Sequence, residues 1–364
     1  MNWIAHLSMY LVVFLFQTCS IPENAGVRVN QIQVIGSHNS YKQEIEDPLM
    51  SITLSRDSNT LGLDYRHIPI KEQLDLGLRG LEIDILHDPH GGKFSKPLGL
   101  TLLAENGVNA IPYDTLGELK KGGLKVLHVP DIDFRSHCLT FVNCLQEVRE
   151  WSQRNPDHLP IIITINPKNS GIGEPGAAKV LPFTSPALDS VDREILSVFS
   201  TSELITPDLV QEKFASLQEA VTTAGWPPLE SSKGKILFVF DADPLLTSEY
   251  IKGGLKGKPM FPNVGKDHPH AGFFIMNDPK DQQQEIQRLV KSGFMVRTRA
   301  DADTKEARMG DLSRLESAIA SGAQLISTDY YLAKLSPSGK FQVTLQNGRY
   351  ESCNPLIAPV QCKL

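Results

Sequence analysis

Short runs rich in β-branched and aromatic residues recur along the chain: QIQVIG (31–36), GLEIDI (80–85), KVLHV (125–129), PIIITIN (160–166), KILFVFD (235–241), FFIMN (273–277), FMVRTR (294–299) and QLISTD (324–329). Several are apolar at consecutive positions, as parallel strands covered on both faces must be. Between them the apolar spacing changes to three and four, in IPIKEQLDLGL, LTFVNCLQEVREWSQRN, DQQQEIQRLVKSG and KEARMGDLSRLESAIASG. That spacing predicts amphipathic helices, two of which close in Ser-Gly, a stop signal. Eight strands with interleaved helices predict an α/β fold, a (β/α)8 TIM-type barrel with long loops on its C-terminal face. A doubly wound sheet is the alternative.

Barrel chemistry lies at the C-terminal ends of the strands, and the polar residues fall there. His38 and Asn39 follow the first predicted strand, Glu82 and Asp84 end the second, and His128 ends the third. Asn166 and Lys168 close the fourth, Asp241 and Asp243 the fifth and Asn277 the sixth. Arg297 and Arg299 close the seventh, and Thr328 and Asp329 the eighth. Stretches 40–66, 86–124 and 242–272 read as long irregular loops on that face.

Strand alternation puts Glu82 and Asp84 on one face and Leu81, Ile83 and Ile85 on the other. Two carboxylates in a barrel mouth stay ionised only with a compensating cation, proton or basic partner. With the side-chain oxygens of Asn39 and Asn166 they form an all-oxygen set suited to a hard cation, Ca²⁺ or Mg²⁺, with calcium the better fit outside the cell. A structural ion pair with Arg79 or Lys168 is the competing reading. His38 and His128 would flank one substrate, a pair suited to moving protons in phosphoryl transfer. Arg297 and Arg299 share a face and are candidates to contact an anionic substrate, or to pair with Asp301, Asp303 or Asp329. HDPHGG (87–92) is better explained as a turn than as a zinc site.

Composition narrows the picture. The 364 residues are 41% hydrophobic and 21% charged, with a formal net charge of −6, so the basic excess of a nucleic-acid binder is missing and nucleic acid is dropped as a partner. The N-terminal run from about Met9 to Phe16 reads as a secretory signal over residues 1–25, ahead of a single catalytic barrel domain over 26–364. An uncleaved anchor is the rival reading, and Cys19 a weak lipidation candidate. A secreted chain would then keep Cys138, Cys144, Cys353 and Cys362, whose close spacing suggests two local disulfides, Cys138–Cys144 and Cys353–Cys362. Four free thiols in a cytosolic protein is the alternative.

Ser37-His38-Asn39-Ser40-Tyr41, then Arg79-Gly80-Leu81-Glu82-Ile83-Asp84, then His128 ahead of a helix and an apolar strand, resemble the catalytic half of phosphoinositide-specific phospholipase C. The likeness is closer to the secreted calcium-dependent microbial branch, through HVPDIDFRSHCLTFVNCLQEVREWSQRNPDHLPIII, VRTRADADT and SGAQLISTDYY, and it spans roughly residues 30 to 335. It implies a barrel that cleaves phosphatidylinositol to diacylglycerol and a cyclic inositol phosphate, the inositol 2-hydroxyl attacking phosphorus. By position it implies that His38 assists the base or the phosphoryl transition state and that His128 is the general acid. It makes Asn39, Glu82 and Asp84 ligands of Ca²⁺, with a carboxylate such as Glu82 as candidate base. Asn166 stands where the family carries a further Glu ligand, and Lys168 is a phosphate contact. A glycerophosphodiester phosphodiesterase, or a weakly active lipid or sugar-phosphate binding protein, are the alternatives. The expected partners are an inositol phospholipid and, transiently, a membrane surface, with no protein partner predicted. Leu100 and Leu102 in FSKPLGLTLLA (94–104) are candidates to reach a lipid interface, with packing against the barrel rim the alternative.

Overall fold

The computed structural model of the chain describes residues 26–364. The expected signal and Cys19 lie outside them. The strands are β1 (Ile32–Ser37), β2 (Gly80–Ile85), β3 (Ile161–Pro167), β4 (Ile236–Phe240), β5 (Met260–Pro262), β6 (Phe273–Ile275), β7 (Met295–Arg299), β8 (Leu325–Thr328) and β9 (Glu351–Cys353). They form one sheet in the order β5-β4-β3-β2-β1-β8-β7-β6, every neighbouring pair on that path parallel, with β9 antiparallel to β1. A parallel bridge from Asn263 to Phe273 spans the remaining gap between β5 and β6, so the predicted TIM-type barrel is nearly closed.

Parallel strands need crossovers, and helices supply them. They are α1 (Asp47–Arg56), α2 (Ile70–Asp75), α3 (Leu98–Glu105), α4 (Phe141–Arg154), α5 (Ser185–Val198), α6 (Pro207–Gln211), α7 (Leu217–Thr223), α8 (Pro244–Tyr250), α9 (Pro279–Lys291), α10 (Lys305–Met309) and α11 (Ser313–Ser321). Leu81, Ile83 and Ile85 of β2 join Phe141, Leu145 and Val148 of α4 in the main apolar cluster, sealed from solvent. Inside the barrel β1 and β2 touch. A Cβ on Gly36 would lie 2.6 Å from Gly80 Cα, so only glycines allow these two strands to approach there. Both expected disulfides form, with Cα–Cα distances of 5.3 Å for Cys138–Cys144 and 6.1 Å for Cys353–Cys362.

The fold departs from the pattern reading in four places. KVLHV is not a barrel strand. Lys125 makes isolated antiparallel bridges to Leu86 and Thr140, and Val129 bridges Asp133, so the run folds over the end of β2 within the β2–β3 connection. The strand that completes the eight is β5, three residues ending in Pro262 inside what reads as irregular chain. Stretch 305–322 is two helices, broken at Gly310 with φ +69°. Finally, FSKPLGLTLLA carries α3, and Leu102 is buried with Leu103, Leu49 and Phe134, so it cannot enter an interface without unpacking that cluster.

Candidate active site

The end of β1 sets the first half of the site. Ser40 folds back on β2: its N–H donates to Glu82 O at 2.9 Å, and its hydroxyl accepts from Glu82 N–H at 2.8 Å. The bend requires a left-handed residue, and Asn39, at φ +50°, is among the few side chains that tolerate one. His38 N–H donates to Thr328 O at 3.0 Å. This carries the β1–β8 ladder one step further and brings His38 Nδ1 to 2.9 Å from Asp329 Oδ1. His38 Nε2 faces Glu82 Oε1 at 3.7 Å.

Burial, and then the Arg299 charge, hold the His38 imidazole well below its ordinary pKa, so it is neutral. With Nδ1–H donated to Asp329, the lone pair is on Nε2. Asp329 is itself pushed up to about 6 by burial, against Arg299, whose Nη2 is 3.4 Å away. Asp301 lies behind it, pushed to about 7 by burial and by Asp329. It accepts from Asp329 N–H at 2.9 Å and from the Thr328 hydroxyl.

Glu82 crosses the barrel to Arg297, whose guanidinium also donates to Ser327 Oγ at 2.9 Å and Asn277 Oδ1 at 2.6 Å. Burial would raise the Glu82 carboxyl, and Arg297 outweighs it, leaving the group below its ordinary value. The two arginines share the interior face as predicted. Both are held by carboxylates of the protein, Arg297 by Glu82 and Arg299 by Asp329.

Asp84, Asn39 and Asn166 form the oxygen-rich side. Asp84 is fully buried, and neither of its carboxylate oxygens accepts a hydrogen bond. Lys168 Nζ lies 2.9 Å from Oδ2 as an ion pair. Burial alone would lower Lys168, and Asp84 raises it above its ordinary value. Asn39 Nδ2 donates to Tyr65 Oη at 2.7 Å while its buried Oδ1 is without a partner. Asn166 is the register partner of Asp84 on β3. Buried oxygens left without donors are costly unless something else satisfies them, and this donor set fits a hard cation.

His128 arrives from the folded-over loop. Its Nδ1 is 2.7 Å from Asp133 Oδ2, and Lys42 Nζ lies 3.2 Å from Asp133 Oδ1. Lys42 is buried, donating to Tyr65 O at 2.6 Å and sitting 4.5 Å over the Tyr65 ring. The same ring neighbours both imidazoles, at 5.9 Å from His38 and 6.5 Å from His128, so the two histidines occupy one mouth. His67 Nε2 donates to His38 O at 2.6 Å and is kept neutral by burial, which drops its pKa to about 3. Asp133, Lys42, Tyr65 and His67 escape a reading by pattern. A pairing of His128 with Asp133, five residues on, was the one signal available.

The sequence pattern of the family PI-PLC-C1, Ca²⁺-dependent phosphoinositide phospholipase C, matches residues 27–355. The chain belongs to this family. With it comes the reaction class, phosphoric diester cleavage, and a family dependence on calcium. Similar solved structures include the calcium-dependent phosphoinositol-specific phospholipase C of a Gram-negative Pseudomonas species, at 15% identity and TM-score 0.55, covering 92% of this chain and 97% of that one. Another is the Ca²⁺-dependent phosphatidylinositol-specific phospholipase C of Streptomyces antibioticus, at 16% identity and TM-score 0.51, covering 84% and 95%. At such identity the likeness is one of fold. No protein of curated function matches the sequence.

Proposed function

We propose that this protein cleaves phosphatidylinositol between phosphorus and the glycerol oxygen, forming diacylglycerol and a cyclic inositol phosphate. One observation carries the reading: two imidazoles, each with Nδ1 against a buried aspartate, open onto one barrel mouth beside Tyr65. The imidazole side chains keep 16% and 15% exposure against 1% and 0% for Asp329 and Asp133, so the rings reach substrate and the carboxylates orient them.

Neutral His38 accepts the proton of the inositol 2-hydroxyl at Nε2 as that oxygen bonds to phosphorus. Asp329 at Nδ1 and Glu82 near Nε2 stabilise the imidazolium that results. As the bond from phosphorus to the glycerol oxygen breaks, His128 gives its Nε2 proton to the leaving alkoxide, and Asp133 holds the ring in that orientation. Glu82, tied to Arg297 and held below its ordinary pKa, is better placed to stabilise His38 than to take a proton itself. Asn39 and Asp84, with Glu82 and Asn166 beside them, are the residues that would hold Ca²⁺. The chemistry bound Ca²⁺ supplies is charge neutralisation at phosphoryl oxygens and a lower pKa for a coordinated hydroxyl. Lys168 is placed to meet the phosphate.

A lipid substrate brings the C-terminal face of the barrel to a membrane surface. Leu116 in the β2–β3 connection and Leu245 after β4, 82% and 85% exposed, take the part expected of Leu100 and Leu102. Two disulfides and the apolar N-terminal run support an extracellular setting. Phosphorus NMR of products from phosphatidylinositol, with Ca²⁺ and with chelator, tests the reaction. A cyclic inositol phosphate that needs Ca²⁺ is expected. Release of glycerol phosphate instead would replace this reading by that of a glycerophosphodiesterase.

A further inference from the structure

Asp241 is an acidic group at the mouth that the scheme above leaves unused. It follows β4, and its N–H donates to Ile165 O at 2.9 Å, so the β3–β4 ladder runs one step past the strand. The register decides which way its side chain faces. Thr164 pairs with Glu82 on one side and Val239 on the other, and Asn166 pairs with Asp84. Side chains two residues apart share a face of a strand, so Asp84, Asn166 and Asp241 form a row across three adjacent strands on the interior face that Glu82 also occupies. No hydrogen bond or salt bridge engages the Asp241 carboxylate among the described residues. The charges that bear on it are those of Arg297, Glu82, Asp84 and Lys168.

Buried oxygens without partners point to a ligand in this row. Asn39 Oδ1 and both oxygens of Asp84 are buried without a hydrogen-bond partner. Among the described residues the cation paired with Asp84 is the Lys168 ammonium, on a side chain that keeps 28% exposure and so has room to leave. An amide at position 166 offers a neutral oxygen, and a divalent ion bound mainly by neutral oxygens is bound weakly, because ligand charge sets Ca²⁺ affinity.

We infer that Asp241 supplies, from the neighbouring strand, the carboxylate that position 166 lacks, so that Asn39, Asp84 and Asp241 hold the cation. Lys168 is then the counter-ion of Asp84 in the metal-free protein, and it moves from Asp84 when the divalent ion enters, since an ammonium in contact with a ligand opposes a second cation there. The inference rests on the calcium reading above and goes beyond it in naming the charge that completes the site and the group that competes for it.

Calorimetric titration of the full chain with Ca²⁺ alone, with no lipid present, tests this. Asp241→Asn is expected to weaken Ca²⁺ binding about ten-fold or more, and adding Asn166→Glu in the same protein to restore most of the loss. Lys168→Met is expected to tighten binding, the opposite sign, while Asp267→Asn on an exposed loop changes nothing. Melting temperatures in chelator report whether each variant is folded. Unchanged affinity in Asp241→Asn, with binding abolished in Asp84→Asn, would overturn the inference and leave the calcium reading standing. Should Asp241→Asn not fold, unchanged or weaker binding by Lys168→Met overturns it as well. No binding by the unaltered protein at millimolar Ca²⁺ would overturn both.

Discussion

His38 and His128 make the same contact, Nδ1 to an aspartate oxygen at 2.9 and 2.7 Å, yet the chain builds the two pairs by different means. Asp329 is 291 residues from His38 and reaches it because the β1–β8 register, Gly36 with Ser327 and Ser37 with Thr328, continues by one step. Asp133 is five residues from His128 on a loop, and its place is held by a buried ammonium from the β1 side, Lys42. One imidazole is therefore positioned by the sheet, which also brings Arg299 against the same aspartate. The other depends on an ion pair whose desolvation must be offset locally.

This difference predicts that damage to the two pairs separates activity from stability. Asp329→Asn should lower kcat on phosphatidylinositol by about 100-fold through loss of His38 orientation. It should cost less stability at neutral pH than Lys42→Met, because the carboxyl it replaces is already driven up to about 6 by burial, which offsets part of the loss of Arg299's partner. Lys42→Met should lower kcat and also cost about 3 kcal/mol, since Asp133 would be left buried without its cation. Chemical denaturation beside steady-state kinetics checks both. Equal stability losses in the two variants would erase the distinction.

A smaller effect concerns pH. Asp301 and Asp329 are raised to about 7 and about 6, so as pH falls through that window both take up protons and His38 loses its acceptor. Activity should fall there, and Asp301→Asn should move the fall to lower pH by removing a like charge. Stability moves the other way. Folded Asp301 binds a proton more tightly than the unfolded chain does, so between about pH 7 and 4 the unaltered protein gains stability relative to Asp301→Asn as pH drops. An acid limb that the substitution does not shift would separate Asp301 from the His38 side of the site.

Smaller still is the effect of the rim. Leu116→Ser with Leu245→Ser should slow hydrolysis of phosphatidylinositol in vesicles several-fold and leave a soluble phosphodiester substrate unaffected. Equal losses on both would place these leucines in the fold rather than at the membrane.

The barrel was legible because parallel strands covered on both faces have to be apolar throughout, and seven of the eight runs quoted from the sequence are strands. KVLHV misleads because Val126 and Leu127 are buried as deeply as strand residues, packing over the end of β2 instead of joining the ladder. β5 is hidden because three residues at the weakly joined edge of the barrel carry no period. His38, Asn39, Glu82, Asp84, Asn166 and Lys168 could be named because strand ends place them. Lys42 and Tyr65 could not. Each reads as an ordinary loop residue, and each acquires its role only when stretch 40–66 folds over the mouth and buries it. Asp241 was visible at a strand end, but its place beside Asn166 follows from register, which a single sequence does not display.

In the proposed reaction the two imidazoles divide the labour, His38 taking a proton from the nucleophile and His128 giving one to the leaving group. A substrate whose leaving group is a phenol instead of an alcohol needs no proton from the enzyme. Measured on that substrate, His128→Ala should recover most of the activity it loses on phosphatidylinositol, while His38→Ala stays impaired on both. Recovery by His38→Ala, or equal impairment of the two variants on the phenolic substrate, would rule out these separate roles.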